Sequence, residues 1–222
     1  MSGEKIAIIG GAGELGFGLA LRWAKAGAEV IIGSRDRAKA EEAVGRVKEA
    51  IHEAKIAGMQ NAPAAAEASV VVVAVPFVAQ AGILKAIKPA LKNAILVDTT
   101  VPLAANVGGR ATRLLGVWEG SAAQAAQAHV PGVPVLSAFH NVSAELLHDL
   151  SAAPDCDVLI CGDGAEPKQR LAALVELIPG LRPLDAGALE MSRVTESMTA
   201  LLVSLNRRYK THRSGIRITG IK

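Results

Sequence analysis

The stretch that most constrains this chain is Lys5-Ile-Ala-Ile-Ile-Gly-Gly-Ala-Gly-Glu-Leu-Gly16, with a helical run to Gly27 behind it. Ile6, Ala7, Ile8 and Ile9 read as a short buried strand. Gly11, Gly13 and Gly16 then give the spacing G-x-G-x-x-G at the entry to a helix over residues 17–26. In such a turn the first glycine permits a tight bend and the second lets a pyrophosphate approach the backbone. The third lets the helix pack closely on the strand, with its N-terminus facing the phosphates. The spacing alone is weak evidence; the strand before it and the helix after it supply the context it requires. Gly11, Ala12, Gly13, Glu14 and Leu15 are therefore expected to form a dinucleotide-binding turn.

Cofactor choice is written at the end of the next strand, about 20 residues past the turn. An NAD enzyme usually places Asp or Glu there to accept from the ribose 2′-hydroxyl. Here residues 28–33 lead into Ser34-Arg35, a hydroxyl donor and a guanidinium able to grip a 2′-phosphate with two parallel bonds. Lys39, one helical turn on, either adds a point charge or belongs to a solvated helix start. Asp36 comes too late to replace the usual acid, so NADP is preferred over NAD.

The rest of the chain keeps a β–α rhythm. Half of its 222 residues are hydrophobic but only 3% are aromatic, so the core is aliphatic and suits strands covered by helices on both faces. A Rossmann-type, doubly wound, mostly parallel α/β sheet with a small C-terminal helical part is expected. Residues 1–150 would form the NADP-binding domain, and residues 151–222 a smaller part with extra strands and a long terminal helix. The alanine run 62–68 leads into a strand over 69–75, whose end, Ala74-Val75-Pro76-Phe77, opens at the ligand edge of the sheet. Pro76 either shapes the cofactor pocket beside Val75 or simply starts the next helix. Asp98 reads as a loop anchor, because nothing at fixed spacing pairs with it. A strand over 134–140 ends in His140, either a hydrogen-bonded structural residue or, from its place at the ligand edge, a functional one. A helix from 189 to about 209 carries Met191, Val194, Met198, Leu201, Leu202 and Leu205 at helical spacing, which suits core or a subunit interface.

Several function classes are disfavoured. The net charge is only +3 and basic residues lack aromatic interleaving, so nucleic acid is a poor partner. The longest apolar run, 68–84, is interrupted by Pro76 and reads as strand then helix, so no membrane association is expected. The five histidines show no metal-ligand spacing. Cys156 and Cys161 lie five apart on one strand and should be buried free thiols on opposite faces. Together with an N-terminus that runs straight into a strand, they suit a reducing cytoplasm. From Arg207 to Lys222 there are six basic residues and no acid: either a solvated tail or a patch for an anionic ligand or partner subunit.

Taken together these segments resemble the NADP oxidoreductases that use the 8-hydroxy-5-deazaflavin coenzyme F420, over nearly the whole chain. The resemblance is carried by the doubled Gly10-Gly11 turn, Gly33-Ser34-Arg35, Val75-Pro76-Phe77, Val101-Pro102, Ser137-Ala138-Phe139-His140, Ile160-Cys161-Gly162-Asp163, Ser192-Arg193-Val194-Thr195-Glu196-Ser197 and, most specifically, the run from Gly180 to Gly187. It implies a homodimer that passes a hydride directly between the deazaflavin C5 and the nicotinamide C4, chemistry in which positioning dominates. His140 and Val142 would touch the deazaflavin, with Val101 and Pro102 near the two rings. No residue is assigned to acid–base work, and His140 is the one candidate for a direct role. The chain departs from the family pattern in two places: His140-Asn141-Val142-Ser143, where a Thr and a Pro are expected after the histidine and the aliphatic residue, and the final residues from Thr211. Those departures keep open an NADPH-dependent reductase of a flavin, ferric complex or small carbonyl compound, or a non-catalytic NADPH-binding module.

Overall fold

The computed structural model describes residues 4–221; Lys222, the last of the basic residues noted above, lies outside them. Eight strands form one sheet: β1 Lys5–Ile9, β2 Glu29–Ser34, β3 Ile56–Gln60, β4 Val70–Val73, β5 Ile95–Asp98, β6 Val135–Ser137, β7 Cys156–Gly162 and β8 Leu181–Asp185. Their spatial order is β3-β2-β1-β4-β5-β6-β7-β8. The first six are parallel, in the 3-2-1-4-5-6 order of a doubly wound dinucleotide-binding sheet, and β7 runs antiparallel to β6. The eight α-helices are α1 Glu14–Lys25, α2 Arg37–Ala50, α3 Asn61–Glu67, α4 Phe77–Ile87, α5 Ala122–His129, α6 Ala144–His148, α7 Ala165–Glu176 and α8 Ser192–Tyr209.

Alternation along the strands divides the core in two. Ile6, Ile8, Val30, Ile32, Val70, Val72 and Val97 pack on one face with Leu19, Trp23, Val47 and Leu174. Ala7, Ile9, Ile31, Val71, Val73 and Leu96 pack on the other with Ala64, Leu84, Ile87 and Ala126. All four residues of β4 are buried, as expected for a central parallel strand. Among the described residues no helix is long and apolar enough to cross a membrane.

Three local expectations change. The alanine run is not a lead-in to β4 but the body of α3; alanine is the best helix former, and Ala64 and Ala65 bury against the sheet. The strand toward His140 stops at Ser137, because Phe139 adopts a left-handed φ of 68°. Trp23 holds that ring edge-on at 5.8 Å. The long C-terminal helix opens as a short 3₁₀ turn, Leu189–Met191, before α8 begins. Both cysteines are buried and free, on opposite faces of β7: Cys156 joins the first core, while the Cys161 thiol meets Thr195 Oγ1 at 3.6 Å.

Candidate active site

Three glycines of the turn, Gly10, Gly11 and Gly16, cannot be replaced without moving backbone. The tight bend falls on Gly10, at φ +82°, rather than on Gly11; a Cβ at Gly10 would lie 2.5 Å from the Ala74 carbonyl oxygen. Gly11 sits under the turn, where a Cβ would come within 2.8 Å of Ile8 O. A Cβ on Gly16 would approach Gly10 O to 2.8 Å and Gly11 Cα to 2.9 Å, so this glycine sets how closely α1 abuts β1. Gly13 is exposed, and a Cβ there would meet only Gly10 O, at 3.3 Å. That leaves its outer face free for a ligand. Gly13 N donates to Gly10 O at 2.9 Å and Phe17 N to Gly13 O at 2.7 Å, closing the first turn of α1.

Beside this turn lies a cavity of about 290 Å³ lined by Gly10, Ala12, Gly13, Ser34, Arg35, Asn61, Ala74, Val75, Pro76, Ala79 and Ile83. Six of the residues picked from the sequence (Ala12, Gly13, Ser34, Arg35, Val75 and Pro76) therefore share one wall. Gly11 lies beneath the turn. Glu14 and Leu15 open α1, and Lys39 stands exposed on α2, all outside the cavity lining. Pro76 also holds the N-cap position of α4, so its two readings are compatible. Asn61, Ala79 and Ile83 were not foreseen. Nothing local in the sequence marks them; β2–β3 pairing of Ser34 with Gln60 brings Asn61 alongside Arg35. Its Oδ1 is buried without a partner.

The electrostatics suit a 2′-phosphate. Ser34 Oγ accepts from Asp36 N at 3.2 Å, which leaves its hydroxyl proton to donate outward. Asp36 is occupied as the α2 cap, accepting from Ala38 N at 2.9 Å, and Arg37 pairs with Glu41 at 2.7 Å. Among the described residues no salt bridge engages Arg35 or Lys39. No carboxylate lines the cavity. A larger depression of about 530 Å³ carries Glu119, Asp163 and Glu190 in its wall, an acidic lining that repels an anionic dinucleotide. The exposed Gly13 backbone and the acid-free, arginine-bearing wall thus fit the phosphate-rich adenosine half of NADP.

The remaining sequence candidates lie farther along the same carboxyl edge. Val101 is half-buried and Pro102 buried in the loop after β5, where Leu115 N donates to Pro102 O at 2.7 Å. His140 and Val142, 7% and 8% exposed, follow the Phe139 bend. The His140 carbonyl accepts from Thr199 Oγ1 on α8 at 2.8 Å. Its Nε2 is buried with no partner, and burial pushes its pKa down to about 4. The imidazole is therefore neutral at physiological pH and keeps one nitrogen uncommitted.

Two buried carboxylates brace this edge. Asp98 accepts from Gln80 Nε2 at 2.5 Å and from Thr100 N and Oγ1, each at 2.7 Å, and burial raises its pKa to about 6. These bonds suit its expected part as a loop anchor. Glu196 reaches across from α8 to accept from Ala122 N and Ala123 N, the open N–H groups of α5, at 2.9 and 3.0 Å. Burial outweighs those bonds and raises its pKa to about 7.

Comparison with known proteins narrows the chemistry. The pattern of the family described as "NADP oxidoreductase coenzyme F420-dependent" matches residues 5–102. The chain is 44% identical over 221 residues to the F420-dependent NADP reductase of Methanothermobacter marburgensis, covering 98% of this chain and 99% of that protein. It is also 44% identical over 222 residues to the enzyme of that name from Methanocaldococcus jannaschii, with the same coverage. A solved structure described as a putative F420-dependent NADP-reductase from Arthrobacter sp. FB24 superposes with a TM-score of 0.83 at 26% identity, over 97% of this chain and 99% of that one. By full-length identity, with its phosphate turn and Ser34-Arg35 on one cavity wall, this chain belongs to the family of F420-dependent NADP oxidoreductases.

Proposed function

We propose that this protein transfers a hydride between NADP(H) and the deazaflavin coenzyme F420. The observation that carries the reading is the single cavity joining the glycine turn to Ser34 and Arg35, in a chain collinear with proteins named F420-dependent NADP reductases. The two coenzymes supply the redox chemistry when bound; the protein's work is to hold and align them and to exclude water. Residues 10–15 hold the pyrophosphate. Ser34 and Arg35 grip the 2′-phosphate, Lys39 adds charge, and Val75 and Pro76 wall the adenosine side. Val101 and Pro102 flank the nicotinamide, while His140 and Val142 face the deazaflavin, His140 offering a neutral imidazole.

In this reading residues 1–150 form the NADP-binding unit, and residues 151–222 complete the second-substrate side. The protein works as a homodimer in the cytoplasm. The buried free thiols are consistent with a reducing compartment. The apolar stripe of α8 supports the dimer: Val194 and Leu201 are 41% and 56% exposed, and only Leu202 of the stripe is buried. The test is anaerobic stopped-flow mixing of NADPH-loaded protein with oxidised F420. Stoichiometric loss of the deazaflavin's visible absorbance is expected; tight NADPH binding without bleaching would refute the assignment of the second substrate.

A further inference from the structure

Within the basic C-terminal segment Arg207, Arg208 and Lys210 stand exposed, but the residues beyond them are engaged by the fold. Arg213 and Arg217 are not free for a ligand, and residues 211–221 are not a solvated tail. The segment lies along the carboxyl edge of β1–β6. Because β7 runs antiparallel to β6, its first residues, Cys156 and Asp157, come to that edge, and the tail docks on them. Asp157 N donates to Ile216 O at 2.8 Å. Ile218 N donates to Asp157 Oδ2 at 2.6 Å, and Arg217 Nη1 donates to Oδ1 at 2.7 Å. Arg182 forks onto both oxygens of the same buried carboxylate, at 2.8 Å each, and also reaches Ile218 O.

From this anchor the segment reaches the loop that carries His140. Ser143 Oγ donates to His212 O at 2.7 Å. Arg213 Nε meets Glu145 at 2.7 Å, and its Nη1 meets Asp149 at 3.1 Å. Gly215 covers Cys156: a Cβ there would lie 2.9 Å from the thiol sulfur. The same Cys156 and Asp157 hold Asn141, whose Nδ2 donates to Asp157 O at 2.7 Å and to Cys156 Sγ at 3.2 Å. No residue of 211–221 is fully buried. The segment therefore adds little apolar burial to the fold, and its attachments are directional polar contacts concentrated on residues 141–149 and 155–157.

We infer that residues 211–218 are a positioning strap for the second-substrate wall, with Ser143 and Gly215 as its positioning residues. The inference rests on the reading above that His140 and Val142 face the deazaflavin. Its action is selective because the neighbouring helix is fixed independently on the NADP side. Arg22 of α1 donates to the carbonyls of Leu146, Leu147, Asp149 and Ala152. A Cβ on Gly18 would come within 2.6 Å of Leu147 Cβ, so α1 and α6 are already in close contact. Loosening the strap thus frees the loop over residues 140–143 while the phosphate turn stays in place.

The test compares Gly215→Val and Ser143→Ala with Ser143→Thr, which keeps the hydroxyl, and with Arg213→Gln, whose partners Glu145 and Asp149 belong to the independently held helix. For each, the KM for F420, the Kd for NADPH and the Tm are measured. Gly215→Val and Ser143→Ala should raise the F420 KM about fivefold, the equivalent of one lost hydrogen bond of average strength, with NADPH Kd within about twofold of wild type, and Arg213→Gln should leave both unchanged. Ser143→Thr should restore wild-type behaviour. An unchanged F420 KM in the Gly215→Val and Ser143→Ala variants of an active enzyme, or a parallel rise in NADPH Kd, overturns the strap. A wild-type protein that never bleaches F420 overturns the underlying reading of the site, and the strap with it.

Discussion

Replacing Arg35 by alanine is the sharpest test of cofactor choice. The guanidinium sits on the cavity wall beside Ser34, with no salt-bridge partner among the described residues, so the substitution breaks no ion pair there and should change Tm little. What it removes is a charge-assisted, two-pronged grip on a 2′-phosphate, worth about 1.5–3 kcal/mol. Arg35 is exposed, and solvent ions screen part of its charge, which places the loss in the lower half of that range at physiological salt. NADPH Kd should then rise about 13- to 45-fold. NADH carries a hydroxyl where NADPH carries the phosphate, and its Kd should change less than about twofold. Arg35→Lys should fall between, since a point charge replaces a planar fork. Isothermal titration with both cofactors, at low and high salt, reads all of this. Equal losses for NADPH and NADH, or a loss that does not shrink with salt, would refute the argument that Ser34 and Arg35 read the 2′-phosphate.

Gly16→Ala must push a methyl to within 2.8 Å of Gly10 O, and should cost about 1–3 kcal/mol in urea denaturation along with NADPH affinity. His140→Ala should slow hydride transfer or weaken F420 while sparing NADPH Kd. Because the wild-type imidazole titrates only near pH 4, any inflection of the F420 KM near histidine's ordinary pKa of about 6.5 should persist unchanged in His140→Ala. Asp157→Asn strands Arg182 and Arg217 and should destabilise by about 3 kcal/mol, the low end for a broken buried pair because the two arginines are 34% and 41% exposed. Those partners hold the Asp157 carboxyl well below the usual carboxylate range, so its contribution persists at neutral pH and is lost only in strong acid. Glu196 has the opposite sign. Its folded pKa of about 7 lies above the unfolded value, so the native state binds the extra proton and stability falls as pH rises from about 4.5 to 7. A Glu196→Gln variant that keeps the wild-type slope in that window would refute this. Leu201→Glu, which places a charge on the exposed stripe of α8, should shift light-scattering mass toward the monomer.

Much of the glycine-turn half of the fold was legible in the sequence because its determinants are local. A glycine turn between a strand and a helix, and the residues closing the next strand, are fixed by spacing along the chain. Aliphatic strands alternating with helical runs likewise determine a sheet covered on both faces. Even there local reading misplaced the tight bend by one residue. Gly10 takes the positive φ, and it is packed so that a Cβ there would meet Ala74, more than 60 residues away. Asn61 entered the pocket wall only through β2–β3 pairing. The part of the edge around His140 was less legible, because its contacts join residues distant in sequence. Phe139 adopts a left-handed φ that Trp23 helps to hold, and Glu196 satisfies N–H groups of a helix more than 70 residues earlier. Ser143 and the segment from Thr211 lie 68 residues apart in sequence, but in the folded protein Ser143 donates to the carbonyl of His212. The sequence by itself determined the dinucleotide turn and the alternating core, through short-range spacing and periodicity. Only the tertiary structure decided where the basic tail goes. The reversal of β7 brings Asp157 to the ligand edge, and a buried carboxylate there needs the arginine and amide donors that the tail supplies.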